Sequence, residues 1–569
     1  MRRRLNRRNG GYVGDWRLQD QNGSITPNTP ITLLNKSAEW YRPQSWLPMP
    51  EMAGLTRDIV AGLLAIFKGA SGATGASADS NFIALSATGN YIVDWGITTA
   101  ARPNGFTTAH TSSTTAQFQY NWNDVPASTE TPYGYRQVMV RITAQPGATL
   151  TTINLNQRYS DSVITLSQFH QNAWLSVKAR VPNVTSFSFG NSNPSARQDW
   201  CEELEFVGRS AIQSFADLTQ NMVNLQCIRG TEWSAVASSC NSAHAQTWSL
   251  RRYPHLDTRN FNNNVHGMFG TCFNLEVIPP LFWDGVTSSS IMSTSSIFSG
   301  TSVIVPPSFS MRRVQIPTTS ITNGAGAMFS GCSRLKRVNS LDLSQVRIAN
   351  DVFNSNYCLV KLPDTITNTQ QVTANGMFSN CWALRKFPTG MCFANVNNSN
   401  QMFRDMYRMT EFPTAVIGSG LTSSGLTADL LAFQSNGLVA PRLNWSKITT
   451  VVSAYRLSTF PEIVGGVITG GWGTGATFGW SSLSIFNSAF TMRVVPKFEG
   501  LMQSIDLRDT VLSPTELDNF FTALGTTTVG VTTGTLNVSG NPGLTGGGRT
   551  PGGASLGIAI NKGWTFTNA

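Results

Sequence analysis

The middle of the chain repeats one pattern of apolar residues. Each copy contains Met-Phe, a Cys three residues after the Phe and a Leu three residues after the Cys, and the clearest copies begin at Met268, Met328 and Met377. Copies with substitutions keep the Phe, so the Phe positions are 269, 298, 329, 353, 378, 403 and 486. The central copies lie 24 to 25 residues apart. A fixed period of this length predicts a solenoid, in which successive segments stack in one conformation.

Stacking accounts for the residue types that recur. One turn of a solenoid cannot bury its apolar face alone, so equivalent positions of successive turns form columns of Phe, Cys and Leu. The Cys position also holds Asn356, Met406 and Ala489, which suits a column of small to medium side chains and does not suit a metal ligand. We expect less regular turns at residues 186–189, 204–207, 225–228 and 504–507.

Before the repeats, apolar and polar residues alternate. Segments with this alternation lie at residues 81–87, 91–95, 137–143 and 151–155, separated by turn residues, and they predict short β-strands. The run at 59–67 is continuously apolar and fits either a buried strand, which we favour, or a helical turn. Short strands with turn residues between them predict a small β-sandwich.

The two ends of the chain follow neither pattern. Residues 1–45 show no apolar periodicity and predict an extended arm. Ser513-Pro514-Thr515-Glu516 is a capping box with Pro at the first helical position, which predicts a helix that closes at Gly525, and a last strand is expected at 535–539. The sequence therefore predicts a mainly β protein with short helices: an arm (1–50), a β-sandwich (51–180), a leucine-rich-repeat solenoid (181–510) and a C-terminal cap (511–569).

Composition and charge add a description of the surface. Charged residues make up 13% of the 569 residues, against ~25% in an ordinary soluble domain. We therefore expect the protein surface to be polar mainly through hydroxyl and amide groups. The net charge is +10, and half of it comes from Arg2, Arg3, Arg4, Arg7 and Arg8. Clustered like charges stay extended until a partner neutralises them. The arm is therefore interpreted as an anchoring or interaction segment, for which nucleic acid or, equally, an acidic protein surface could be the partner.

We expect neither a membrane span nor a signal peptide, and neither a metal nor a cofactor. The longest apolar run has nine residues, against the roughly 20 that a spanning helix needs, and the N-terminus has no apolar signal core. The eight cysteines lie between residues 201 and 392 and form no Cys-x-x-Cys pair. We interpret them as reduced and mostly buried.

Several segments resemble known families. The Met-Phe-x-x-Cys-x-x-Leu-x-x-(Ile/Phe)-Pro turns, as at 268–279 and 377–388, resemble the BspA-like leucine-rich repeats of bacterial surface antigens and of structural proteins of tailed bacteriophages, especially marine cyanophages. Residues 90–96 (Asn-Tyr-Ile-Val-Asp-Trp-Gly) resemble a strand and turn of PKD-like β-sandwich domains, with Ile97 and Thr98 in place of the usual Asp-Gly. Near the C-terminus, residues 536–543 and 561–565 are similar to the segment that follows such repeats in phage proteins.

These resemblances imply a virion structural protein that is made in the host cytoplasm and carried on the particle. The Arg-rich start also resembles the virion-docking end of phage tail and fibre proteins. The expected partners are other virion proteins, through the arm, and a glycan or protein of the host surface, with several copies of the chain on each particle. With this assignment, nucleic acid is not an expected partner. We expect a non-enzymatic protein of the tail, baseplate or fibre that recognises the host. The alternatives are a bacterial cell-surface adhesin, a capsid-decorating protein and a tailspike glycan depolymerase.

Few motifs point to catalysis. Residues 553–557 match the Gly-x-Ser-x-Gly nucleophile elbow, but they follow a Gly-rich loop and no His occurs after His266, so the Ser-Asp-His order is impossible. His244, His255 and His266 are eleven residues apart, unlike the short spacings of metal motifs, and we interpret them as surface or packing residues.

Carboxylates and tryptophans supply the remaining candidates. Two sets of acidic residues could form a glycosidase pair, although their spacing assigns no role to them: Glu202, Glu203 and Glu205, and Asp506 and Asp509. Trp472 and Trp480 flank a Gly-rich segment. Exposed Trp side chains stack on sugar rings and anchor interfaces, so these two are candidate contacts for a host ligand. The alternative is that an irregular solenoid turn buries both.

Overall fold

A computed structural model describes most of the chain between residues 40 and 409 and shorter segments after them. The described residues are 40–70, 76–98, 105–164, 166, 172–190, 198–215, 218–230, 240–253, 265–278, 294–306, 309–310, 324–344, 346–364, 366, 368, 371–388, 390–409, 417, 419–420, 426–428, 448–451, 468–469, 498–499, 504–507, 512–523, 534–541, 544 and 556–566. Within these residues the protein is mainly β with two short α-helices. The predicted fold class is confirmed at this level.

The first eleven strands form two sheets. They are β1 (Ile59–Phe67), β2 (Ser80–Thr88), β3 (Tyr91–Asp94), β4 (Thr107–His110), β5 (Thr115–Asn121), β6 (Tyr135–Ala144), β7 (Thr152–Asn154), β8 (Trp174–Arg180), β9 (Ser186–Ser188), β10 (Glu203–Phe206) and β11 (Cys227–Arg229). One sheet has the order β11-β10-β8-β1-β6-β3-β4 and the other the order β5-β2-β7-β9. Both contribute to one hydrophobic core. The alternating segments of the sequence are confirmed as β2, β3, β6 and β7.

Strand β1 lies in the middle of the larger sheet, and this position explains its continuous apolar run. It pairs with β6 on one side and with β8 on the other, and residues 59–66 are all buried. The run is therefore a strand and not a helical turn, and the prediction of a buried strand at 59–67 is confirmed. Gly62 lets the fully buried Trp174 lie directly against this strand, because a Cβ at Gly62 would come within 1.9 Å of Trp174 Cζ3.

The pairing changes from antiparallel to parallel along the larger sheet. Strand β8 is antiparallel to β1, whereas β10 adds to β8 in parallel and β11 adds to β10 in parallel. In the smaller sheet, β9 also adds to β7 in parallel. The larger sheet is thus continuous across residue 180. The three early segments expected to be irregular turns contain β9, β10 and β11.

The described segments between residues 240 and 409 repeat one backbone conformation around each Phe position. We call the residue at the Phe position of each copy the ring residue. Its amide and the amides two residues before and after it all donate to the next copy: Asp351 N to Asn375 O (2.7 Å), Phe353 N to Met377 O (2.9 Å), Ser355 N to Ser379 O (2.9 Å). The same three hydrogen bonds leave the copies at residues 244, 269, 298, 329 and 378. Successive copies are therefore held together by a regular backbone ladder.

Two left-handed residues bend the chain in each copy. They lie two positions before and two positions after the ring residue, with φ between 51° and 70° from Ser242 to Asp405. This conformation costs roughly 1–2 kcal/mol for a residue other than Gly, and Asn and Asp tolerate it better than most. The two bends direct three amides of a short segment toward the same neighbouring copy.

The ring residues stack in a continuous buried column. From Phe269 to Phe403, neighbouring ring centroids are 5.4 to 6.2 Å apart and the ring planes differ by at most 18°. The Cys positions are buried as well, and so are the Leu positions except Ile304, which is half-buried. Cys381 Sγ donates to Phe353 O of the preceding copy (3.0 Å). The predicted column of Phe rings is confirmed in the described copies.

Further along the chain, short strands pair in parallel and two helices follow. The elements are β12 (Phe309–Ser310), β13 (Leu341–Asp342), β14 (Leu426–Ala428), β15 (Ile448–Val451), β16 (Ile468–Thr469), β17 (Phe498–Glu499), β18 (Ser504–Asp506), α1 (Pro514–Ala523), β19 (Gly534–Asn537), α2 (Leu556–Ile560) and β20 (Trp564–Phe566). Strands β18, β19 and β20 form a three-stranded parallel sheet. The strand expected at 535–539 is β19, which ends two residues earlier.

Helix α1 begins with the predicted capping box. Ser513 N donates to Glu516 Oε2 (2.7 Å), and Glu516 N donates to Ser513 Oγ (3.4 Å). At the other end of the helix, the Lys562 ammonium donates to the carbonyl oxygens of Phe521 (3.1 Å) and Thr522 (2.5 Å), which compensates two unpaired carbonyls and the negative end of the helix dipole. Gly525 lies outside the described residues.

The cysteines carry free thiols and are mostly buried, as expected. Five are buried, Cys227 and Cys392 are half-buried, and Cys358 is exposed. Burial raises the pKa of the Cys332 thiol to about 11, so this side chain stays protonated and acts as a packing group. Across the described segments, no helix combines the length and the apolar character needed to cross a membrane.

Candidate functional site

An exposed aromatic side chain follows the Cys position in several copies of the repeat. These side chains are between 38% and 44% exposed: Trp248, Phe273, Tyr357, Trp382 and Tyr407. They fall into two groups on neighbouring copies. We call Tyr357, Trp382 and Tyr407 the aromatic strip, and Trp248 and Phe273 the aromatic pair.

The local backbone explains why these rings face solvent. In the copy at Phe353, the ring residue, Asn356 at the Cys position and Leu359 at the Leu position are all buried. Asn356 Nδ2 donates to Phe353 O (2.9 Å), which closes the bend that begins at the left-handed Ser355. Because Asn356 before it and Leu359 two residues after it are buried, the short segment between them, Tyr357 and Cys358, lies on the outside.

The aromatic strip is a row of rings in contact with one another. The centroids of Tyr357 and Trp382 are 4.4 Å apart with planes at 51°, and those of Trp382 and Tyr407 are 5.8 Å apart with planes at 61°. The buried column, by contrast, has nearly parallel planes. Tilted rings leave part of their faces open, so the strip presents aromatic surface to solvent along three successive copies.

A groove of about 570 Å³ runs along the aromatic strip. Its lining residues are Lys336, Tyr357, Cys358, Val360, Trp382, Ala383, Tyr407 and Arg408. This volume lies within the range of small-ligand sites, about 300–1,000 Å³. Both charged side chains in the lining are basic, and no described carboxylate is within ion-pair distance of either. The groove therefore combines apolar ring surface with two positive charges that no described carboxylate pairs with.

Asp405, a described acidic residue beside the strip, is already compensated. Asp405 accepts from the Tyr407 hydroxyl (3.4 Å) and from Arg404 Nε (3.3 Å). Partial burial, and then the Asp405 charge, raise the pKa of the Tyr407 phenol. The phenol therefore stays protonated at neutral pH and presents a hydroxyl, not a phenolate, beside the groove.

The aromatic pair lies earlier on the same column of positions. Trp248 and Phe273 have centroids 5.9 Å apart. The equivalent positions in the next two copies are Ser302 and Ser333, which carry no ring. At about 4.8 Å per stacked copy, three steps separate Phe273 from Tyr357 by roughly 14 Å. One extended ligand could therefore contact both groups.

All of the predicted site residues lie outside the described residues. They are Arg2, Arg3, Arg4, Arg7, Arg8, Trp472 and Trp480. The aromatic strip is not among the predicted site residues, because the repeat is defined by its apolar positions and the residue after the Cys position varies in type among the copies. Comparing that single position across copies would have found it, since five of seven copies between residues 244 and 409 have an aromatic residue there.

The two described histidines of this set, His244 and His266, take part in no metal site among the described residues. His244 is the first ring of the buried column, 5.5 Å from Phe269 with planes at 18°, and its Nδ1 shares a hydrogen bond with Thr219 Oγ1 (2.7 Å). His266 is half-buried and His255 is outside the described residues. No group of three or more potential metal ligands comes together in the part of the chain that the structure describes.

Two of the acidic candidates, Glu203 and Glu205, are engaged in contacts across the larger sheet. Glu203 is buried, accepts from Ser176 Oγ (2.9 Å) and lies 3.7 Å from Arg229 Nε, while Glu205 pairs with Lys178 (3.6 Å). These contacts join β8, β10 and β11. Asp509 and the central serine of the Gly-x-Ser-x-Gly motif lie outside the described residues.

Comparisons with known proteins leave the family open. No protein family matches the chain, and a search of curated proteins finds no significant match either. Among solved structures, a chain of the "Structure of the Toll - Spatzle complex, a molecular hub in Drosophila development and innate immunity" is similar with 12% identity and a TM-score of 0.18. The match covers 70% of this chain and 48% of the other, so this chain corresponds to about half the length of that protein. A TM-score this low carries no argument about fold or function.

Proposed function

We propose that this chain is a structural protein of a bacteriophage particle and that it recognises the host surface by binding, without catalysing a reaction. In this proposal residues 51–180 form a PKD-like β-sandwich, residues 181–510 a BspA-like leucine-rich-repeat solenoid and residues 511–569 its cap. The regular backbone ladder and the buried ring column support the solenoid. The resemblance of the repeats to those of phage structural proteins supports the setting on a particle.

The observation that carries the recognition role is the aromatic strip. Aromatic side chains dominate the energy of many interfaces, and exposing them in a row has a cost in solubility that a binding role offsets. Tyr357, Trp382 and Tyr407 come from three different copies of the repeat, so the repeat itself builds the surface. Each contact is weak, and many copies of the chain on one particle would multiply the affinity.

Attachment to the particle is assigned to the arm, residues 1–50. Its cluster of positive charge comprises Arg2, Arg3, Arg4, Arg7 and Arg8, and an acidic surface on another virion protein is the complementary partner. Deleting residues 1–10 should give particles that lack the protein, as measured by mass spectrometry of purified virions. If the truncated chain still assembles into virions, the arm does not carry attachment.

Host recognition is tested by adsorption. The full recombinant chain should bind intact cells of the host strain and slow adsorption of the phage, and the Trp382→Ala variant should do neither at the same concentration. Immunogold labelling of purified particles should place the protein on tail, baseplate or fibre. Labelling of uninfected cells instead would indicate a cellular adhesin, labelling over the capsid a decorating protein, and release of reducing ends from host polysaccharide a depolymerase.

A further inference from the structure

The chemistry of the groove beside the aromatic strip narrows the class of ligand. We infer that the aromatic strip binds an anionic polysaccharide of the host surface, with sugar rings stacked on Tyr357, Trp382 and Tyr407 and acidic substituents paired with Lys336 and Arg408. This inference rests on the proposed recognition function and assigns its ligand.

The rings provide the stacking surface. A sugar ring has an apolar face of C–H groups, which packs on an aromatic face, while its hydroxyl groups remain at the edge and stay hydrated. The strip offers three such faces in sequence, with centroid spacings of 4.4 and 5.8 Å. The planes differ by 51° and 61°, which suits units that rotate relative to one another about the linkages of a chain. A linear polymer, unlike a compact ligand, can contact the rings one after another.

The charges determine which polysaccharide fits. Lys336 and Arg408 line the groove, and no described acidic side chain pairs with either. Asp405 is held by Arg404 and by the Tyr407 hydroxyl, so it does not cancel them. A carboxylate or phosphate on the glycan would pair with these two cations through charge-assisted hydrogen bonds, with a bidentate geometry available at the guanidinium of Arg408.

A single-stranded nucleic acid also combines rings with negative charge, but it fits the groove less well. Proteins that bind such strands follow the phosphate backbone with a strongly basic groove. Here two cations accompany three rings, and Val360 and Ala383 complete the lining with apolar surface. Sparse charge of this kind matches a polymer that carries an acid on some of its units.

The aromatic pair extends the binding line. Trp248 and Phe273 occupy the same repeat position as Tyr357, four and three copies before it. Phe273, the nearer of the two rings, is roughly 14 Å from Tyr357 along the stack. A long chain can contact the pair and the strip together, whereas a short oligosaccharide contacts one of them. Affinity should therefore rise with chain length until both groups are covered.

The ligand class is tested with the full-length protein on immobilised probes. The probes are purified bacterial polysaccharides that are neutral, uronic-acid-bearing or phosphate-bearing, together with oligothymidylate. We expect binding to acidic polysaccharides that weakens as salt is raised. Trp382→Ala should weaken it at least about tenfold, or roughly 1.4 kcal/mol. The matched control is Tyr133→Ala, which removes a 62% exposed ring before strand β6 and should leave binding unchanged.

Two further measurements locate the site and separate charge from stacking. Cys358 lines the groove and is the exposed cysteine among the eight, so bound polysaccharide should slow its alkylation by iodoacetamide, as followed by mass spectrometry. The Lys336→Gln/Arg408→Gln double variant should lose most of the salt dependence while keeping the stacking contribution. Both variants change exposed side chains, and circular dichroism with thermal unfolding checks that they fold.

Three outcomes would overturn the inference. They are binding that Trp382→Ala leaves intact, binding of neutral polysaccharides as tight as that of acidic ones, and binding of oligothymidylate in preference to every polysaccharide. Failure here is distinguishable from failure of the proposed function. If no polysaccharide binds but the chain still adheres to host cells, recognition stands and its ligand is a protein. If adhesion to host cells is also absent, both proposals fail.

Discussion

Acid is expected to destabilise the stacked copies through one buried imidazole. His244 is fully buried between Tyr253, at 4.5 Å, and Phe269, at 5.5 Å, and its Nε2 has no hydrogen-bond partner among the described residues. Burial lowers the pKa of His244 to about 3, because protonation would place a positive charge inside the ring column. The neutral ring packs there as a phenylalanine does in later copies.

The sign and size of the effect follow from linkage. In the unfolded chain the imidazole titrates near about 6.5, so the unfolded state binds more protons than the folded state once the pH falls below that value. The contribution of His244 to stability is therefore complete above about pH 6.5 and is lost progressively toward the folded pKa of about 3. Between about pH 7 and pH 4.5 this single group should remove roughly 2–3 kcal/mol of unfolding free energy.

A double variant isolates the contribution of His244 to the pH dependence of the unfolding free energy. His244→Phe with Thr219→Val replaces both partners of the buried hydrogen bond, so no polar atom is left unpaired at either position. Urea unfolding at about pH 7 and pH 4.5, together with hydrogen exchange of amides in residues 240–278, measures stability globally and locally. All other titrating groups are shared, so the wild type should lose roughly 2–3 kcal/mol more than the variant. An equal loss in both proteins would refute the assignment of acid sensitivity to His244.

Three further substitutions test the packing. Phe353→Ala removes one fully buried ring from the column and should cost about 3–5 kcal/mol in urea unfolding; Phe353→Leu, which keeps most of the volume, should cost less. Gly62→Ala places a Cβ 1.9 Å from Trp174 Cζ3 and should lower stability by about 1–3 kcal/mol with a change in Trp fluorescence, and unchanged values would contradict the close approach. Ser513→Ala removes one half of the capping box with Glu516 and should cost about 1 kcal/mol, visible as faster amide exchange in α1.

Several elements could be predicted from the sequence because each depends on a local or periodic signal. The alternating segments gave the positions of β2, β3, β6 and β7, since period two is the period of a strand with one buried face. The capping box fixed the start of α1, because its hydrogen bonds join residues three apart. The recurring Phe identified the core of each copy, since only a buried position needs the same ring every time.

Other elements had no such signal. Strands β4, β5 and β8 were not predicted, and β4 has exposed and half-buried residues throughout, so its hydrogen bonds to β3 hold it in the sheet, not its own pattern. The continuous apolar run of β1 was ambiguous by itself. It is a strand because β6 and β8 pair with it on its two sides. The sequence of these nine residues alone does not show which strands lie beside them.

The candidate site, too, combines features that the sequence predicts with features that only the tertiary structure shows. The sequence by itself determined which residues of each copy are buried, because the apolar columns repeat at a fixed period, and it placed the charge of the arm. The tertiary structure alone decided that Tyr357, Trp382 and Tyr407 form one surface, with Lys336 and Arg408 beside it. These residues lie up to 72 positions apart, from 336 to 408, and they meet because the backbone ladder stacks equivalent positions of successive copies. The sequence sets the period, and only the stacking of copies converts that period into a neighbouring row of exposed rings.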